Sequence, residues 1–133
     1  MPAWKWKKKT TTAAATLLLG TGLVLAGPAS PAQAATCSYT YSDESYVYAG
    51  HYSGMTAVPS KTVVTSSGAE AQCLLKEIGY SITVDGVFGP KSQAALRDVQ
   101  TKLNKAPFWA GITVDGMPGP ETWPHLRFYA YYY

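Results

Sequence analysis

Ile82-Thr83-Val84-Asp85-Gly86-Val87-Phe88-Gly89-Pro90 returns thirty residues later as Ile112-Thr113-Val114-Asp115-Gly116-Met117-Pro118-Gly119-Pro120. Only the two residues between Asp-Gly and Gly-Pro differ. Asp-Gly supplies a side chain that bonds its own backbone and a residue that takes positive φ without strain. Gly-Pro ends the loop and opens a helix, because proline suits the first helical position. Each copy therefore reads as a short extended approach, a tight loop and a helix start. A repeated loop-plus-helix unit is a packing design. Two copies are too few for a solenoid and point to one compact domain with internal pseudo-symmetry.

Helical spacing surrounds both loops. Ser67-Gly68-Ala69-Glu70 has the pattern of a capping box and predicts the start of a first helix. Ala71, Leu74, Leu75 and Ile78 form its apolar face, and Gly79 is placed to cap its end. The second helix is expected from about Pro90 to Asn104, with Ala95, Leu96, Val99 and Leu103 inward. The third is expected from Pro120, with Trp123 and Leu126 inward. Pro124 predicts that this helix is short or partly 3₁₀, since proline past the first turn removes a backbone bond. The fold class is therefore all-α: a small three-helix bundle with two pseudo-repeated DGxxGP loops. The aromatic tail, 129–133, is expected either to dock on the domain, 67–128, or to fray.

The chain opens on Lys5, Lys7, Lys8 and Lys9, an apolar run from Ala13 to Ala26, then Gly27-Pro28 and Ala32-Gln33-Ala34. These are the three parts of a cleaved export signal, and the cut is expected after Ala34. The apolar run is shorter than the ~20 residues a membrane span needs. Four of the chain's 11 Lys+Arg and none of its 8 Asp+Glu lie in 1–34, so the remainder carries seven cations against eight acids. Its net charge of −1 removes the basic balance that would point to nucleic acid or an acidic membrane surface. Two cysteines remain, Cys37 and Cys73. An exported chain with two cysteines is expected to carry one disulfide; free thiols or pairing between chains are the alternatives. A loop of 36 residues closed in this way is worth about 3–4 kcal/mol in the chain-entropy treatment.

Between Ala35 and Ser66 lies an arm rich in Tyr, Ser and Thr and poor in aliphatics. Tyr39, Tyr41, Tyr46 and Tyr48 fall at even spacing, which is weak strand character, and Gly50, Gly54 and Pro59 interrupt it. An irregular arm with one short strand is expected, held to the domain by Cys37. Its tyrosines either stack on sugar rings or cover a small core, and burial is the commoner fate of aromatics.

From Gly68 to Leu126 the chain resembles the bacterial peptidoglycan-binding domain of the three-helix type. The resemblance rests on Gln72-Cys73-Leu74-Leu75, Gly79-Tyr80, Val84 to Pro90, Ser92, Ala95-Leu96, Val99-Gln100, Val114 to Pro120, Thr122-Trp123 and Leu126. Val99 stands where the family usually has an aromatic, and Pro124 is unusual in the last helix. The resemblance implies binding of the wall polymer, through its glycan strand or its stem peptide, by a secreted, wall-associated protein that acts as a monomer. Exposed aromatics offer faces to sugar C–H groups, and loop amides offer donors to acetamido and carboxylate oxygens. The candidate ligand-binding residues are Tyr80, Asp85, Gly86, Phe88, Lys91, Gln93 and Trp109. Each has a plainer reading: Asp85 as its own turn's cap, Gly86 as backbone geometry, Phe88 as a core plug. Trp123 reads as core and Trp109 as the better exposed candidate.

Catalytic parts do not assemble in this sequence. His51 and His125 stand alone, without an HExxH, HxH or HxxxD arrangement, so no metal site and no cofactor is expected. A glycosidase needs two carboxylates across a cleft, but Asp85 and Asp115 each have a sufficient role in their own loop, and Glu70 has one as a cap. Three classes of function remain to be separated: a wall-binding module, an exported interaction or inhibitor protein built on the same fold, and a small hydrolase, which the residues disfavour.

Overall fold

The computed structural model describes residues 35–133; the expected export signal, 1–34, lies outside the described residues. Two strands precede three helices. β1 (Thr40–Tyr41) pairs antiparallel with β2 (Val47–Tyr48), Thr40 opposite Tyr48 and Tyr41 opposite Val47. The helices are α1 (Ser66–Ile78), α2 (Pro90–Leu103) and α3 (Trp123–Tyr132). None of the described helices is long and apolar enough to cross a membrane.

α1 begins earlier than the capping-box pattern predicts. Thr65, not Ser67, is the N-cap, and its hydroxyl accepts from the Gly68 amide at 2.9 Å. That frees Glu70 for a different task, described below. The helix ends at Gly79, whose amide reaches the Leu75 and Lys76 carbonyls. Ala71, Leu74 and Leu75 are buried and Ile78 packs at their edge. α2 matches its expected span and face: Pro90 occupies the first turn, and Ala95, Leu96, Val99 and Leu103 are all buried.

α3 departs from expectation. Pro120 begins a turn, and the helix proper starts at Trp123. Pro124 then sits at the second helical position, where a missing amide hydrogen costs nothing because no acceptor precedes it in the helix. The helix is consequently α and not 3₁₀; it runs through Tyr132 and, at 10 residues, is the shortest of the three. The terminal aromatics belong to it: Tyr129 and Ala130 are buried, Tyr129 stacks on Tyr133 with centroids 4.4 Å apart, and Phe108 packs against both rings.

The arm has two paired strands instead of one, and it is built into the core. Val47 joins the helical core cluster, while Ala49 sits in a second cluster with Cys73 and Val84. Cys37 and Cys73 form the disulfide, with Cα atoms 5.7 Å apart. Deeper still lies an ion pair with both side chains fully buried: Arg127 Nη1 to Glu70 Oε2 at 2.7 Å. Glu70 also accepts from the amides of Ala49, His51 and Tyr52. Arg127 donates to the carbonyls of Val47, Tyr52 and Gly54, and its guanidinium lies 4.3 Å from the Tyr48 ring centroid. α1, α3 and the arm therefore share one charged knot. A buried pair is tolerated when its remaining donors and acceptors are satisfied, and here the arm's backbone satisfies nearly all of them. Arg127 Nε is the buried side-chain atom without a partner among the described residues.

Candidate functional site

Each Asp-Gly loop is held from below by a glutamine on the preceding helix. In the first loop the Gly86 amide donates to Gln72 Oε1 at 2.8 Å. Gln72 Nε2 lies 2.9 Å from each of Asp85 Oδ1, the Val87 carbonyl and Ser92 Oγ. Asp85 Oδ1 also accepts from the Val87 amide at 3.0 Å, an Asx turn. The second loop repeats the scheme. The Gly116 amide donates to Gln100 Oε1 at 2.8 Å, and Gln100 Nε2 faces Asp115 Oδ1, the Met117 carbonyl and Thr122 Oγ1. The Met117 amide donates to Asp115 Oδ1 at 2.9 Å. Gly86 and Gly116 have φ of 80° and 75°, a region that penalises any Cβ.

What rests on each loop differs. The first is pressed against Gly68 of α1, where a Cβ would stand 2.3 Å from the Gly86 carbonyl oxygen. The arm lies along its other side: the Thr65 amide donates to the Gly86 carbonyl and the Phe88 amide to the Ser60 carbonyl. The second loop is covered by α2 instead, with the Arg97 side chain against Gly116. Arg97 also helps to hold the Asp115 carboxyl below its ordinary value. Partial desolvation pushes that carboxyl up, but the hydrogen bonds from Gln100 and the Met117 amide outweigh it.

Beside the first loop is an open groove of about 580 Å³. Ile82, Thr83, Asp85 and Val87 of the loop line it, with Gly89, Pro90, Lys91 and Ser92 at the start of α2. Lys61 reaches it from the arm, and Gln72 lies at its base. The groove mixes apolar wall, two ammonium groups and one carboxylate.

The seven candidate residues separate on this geometry. Asp85 and Lys91 line the groove. Gly86 is buried beneath it and serves as backbone. Phe88 is fully buried in the helical core, so its side chain is a plug and not a contact surface. Gln93 donates to the Phe88 carbonyl at 3.0 Å and braces the loop from α2. Tyr80 belongs to a separate cluster on α2, where its hydroxyl donates to Asp98 and accepts from Lys102 Nζ at 3.2 Å. Burial and then the bond to Asp98 raise the Tyr80 hydroxyl's pKa, while bonds from Lys102 and Tyr80 lower that of the Asp98 carboxyl. Trp109 is 72% exposed, in the connection between α2 and α3. Trp123 is fully buried and donates its indole N–H to the Ala57 carbonyl.

Sequence reading missed Lys61, Gln72, Thr83 and Ser92 as groove residues. Gln72 carried a signal: a helical glutamine precedes each Asp-Gly loop, at 72 and at 100. Lys61 carried none, because its place depends on how the arm crosses the loop. Among the described residues, no group of three or more His, Cys, Asp or Glu is disposed to hold a metal ion.

Residues 69–126 match the family of putative peptidoglycan binding domains. The match runs from the first turn of α1 to the middle of α3, while the arm and the end of α3 lie outside it. A solved structure, a peptidoglycan-binding protein from Clostridioides difficile in complex with glutamine hydroxamate, superposes with a TM-score of 0.53 at 25% identity. The alignment covers 68% of this chain and 56% of that one, so this chain spans a little over half of its neighbour's length. No curated protein matches the chain.

Proposed function

We propose that this protein is an exported, non-catalytic binder of peptidoglycan that uses the groove beside its first loop. The observation that carries the proposal is an open groove, part apolar and part charged, within a segment of the peptidoglycan-binding family. Three carboxylates beside or beneath the loops have structural tasks. Asp85 and Asp115 tie down their own loops, and Glu70 is sealed in the ion pair with Arg127. Export is supported by the leader pattern over 1–34 and by the disulfide, which persists in oxidising compartments. In this reading the mature chain begins at Ala35, acts as a monomer, and consists of a Tyr-rich arm fused to one helical domain.

The test is co-sedimentation of the oxidised protein with insoluble peptidoglycan, beside turbidity of the same suspension. Sedimentation at moderate salt with constant turbidity is the expected outcome. A folded sample that stays in the supernatant overturns wall binding, and falling turbidity overturns the non-catalytic part. Mass measurement of exported material checks the cut after Ala34.

A second reading, a grip on another exported protein, draws on Val58, Val63 and Val64, each more than 60% exposed along the arm. Pull-down from culture supernatant separates it from the first, because a wall binder returns wall fragments and not a partner chain.

A further inference from the structure

The two loops share a skeleton but not a surface. Lys91, in the first turn of α2, lines the groove of the first loop. Its counterpart after the second Gly-Pro is Glu121, whose Oε1 accepts from the Thr113 amide at 3.2 Å. Loop geometry is therefore indifferent to a cation at this position. A second lysine, Lys61, enters the groove from the arm, outside the 69–126 segment. No ion pair among the described residues engages either ammonium. Against them stands one carboxylate, Asp85, whose Oδ1 is already held by Gln72 and the Val87 amide. The groove thus carries a net charge of +1 on a part of the chain that is −1 in total. Between the charges the walls are Ile82, Val87 and Pro90, which suit small apolar groups.

We propose that this groove takes the carboxylate end of a short wall peptide, with Lys61 and Lys91 pairing the carboxylate and the Ile82–Val87–Pro90 wall receiving methyl-sized side chains. The assignment rests on the peptidoglycan-binding role proposed above and selects the stem peptide over the glycan strand. A neutral sugar would leave both ammonium groups unused. A phosphate polymer would call for a track of cations, whereas apolar wall adjoins these two. The lysine from the arm makes the recognition a property of this chain and not of the family segment alone.

The experiment uses the oxidised protein and four soluble compounds: a pentapeptide ending in D-alanyl-D-alanine with a free carboxylate, the same peptide amidated at its C-terminus, tri-N-acetylchitotriose, and a glycerol phosphate oligomer. Amide shifts are followed by NMR, and sedimentation with insoluble peptidoglycan is run in parallel. The free-acid peptide is expected to move the Thr83, Lys91 and Ser92 amides. Amidation, Lys61→Met or Lys91→Met each weaken binding several-fold, and the double variant by about tenfold, the range of exposed charge pairs. Added salt weakens it in the same sense. Glu121→Ala leaves it unchanged. Equal binding of acid and amide, or stronger shifts of the same amides by chitotriose or by glycerol phosphate, overturns the proposal. If the protein still sediments with the wall in that case, the binding role stands and only the carboxylate assignment falls. If it does not sediment, both fall.

Discussion

The first and second Asp-Gly loops are built alike and dressed differently. In both, a helical glutamine takes the glycine amide and faces the aspartate, the carbonyl after the glycine and a buried hydroxyl. Around that shared core, the first loop meets Gly68, the arm and two lysines, while the second meets Arg97 and Glu121. The skeleton is a solution to one problem, how to satisfy a sharp buried turn. What surrounds each loop is set by residues outside that shared skeleton.

The largest blow to both loops at once is Arg127→Met. It leaves the Glu70 carboxylate buried without its partner, which costs about 3–5 kcal/mol. Because Glu70 and Gln72 share α1, and Arg127 follows the second loop on α3, urea unfolding should show the stability loss. Hydrogen exchange should show the Gly86 and Gly116 amides losing protection together. Exposure of one loop alone would mean that the ion pair supports only half of the domain.

Next in size are Gln72→Leu and Gln100→Leu. Each strands a buried glycine amide and removes the donor facing an aspartate, for an expected loss of about 2–3 kcal/mol each. Similar losses by urea unfolding confirm mechanical equivalence; a twofold difference would break it. Gly68→Ala sharpens the contrast instead. Its Cβ would meet the Gly86 carbonyl at 2.3 Å. Overpacking of this kind costs about 1–3 kcal/mol. Exchange should quicken at the first loop while Gly116 keeps its protection, and wall binding should weaken with it.

The smallest effect belongs to acid. The Asp115 carboxyl is held below its ordinary value of 3.8 when folded, so it contributes stability above that value and loses it as pH falls through the lowered one. Asp115→Asn is expected to show a shallower loss of thermal midpoint between pH 5 and pH 2 than the parent, at roughly the precision of a melting measurement. An unchanged acid limb would show that Asp115 contributes nothing to it.

Much of the helical architecture was legible before any coordinates. The α2 face of Ala95, Leu96, Val99 and Leu103 is a strong 3.6-residue pattern, and each of these residues is buried. Local chemistry misled where two local solutions competed. Thr65 and Ser67 are both able caps, and the Gly86 carbonyl, which receives the Thr65 amide, favours the earlier one. Pro124 is disruptive in a helix that starts at Pro120; a start at Trp123 makes the same residue a first-turn proline. Of the candidate site, Asp85 and Lys91 were readable because they flank the loop. Tyr80, another candidate, has its hydroxyl turned to Asp98 and Lys102.

By itself the sequence determined the two sharp loops and the helices they launch, because turn residues and helical spacing are local signals. Tertiary structure alone decided that Glu70 meets Arg127 across 57 residues, that the arm is core and not appendage, and that Lys61 stands in the same groove as Lys91. The physical reason is that long-range partners are chosen by which polar groups burial leaves unsatisfied, and that demand exists only once the helices have packed.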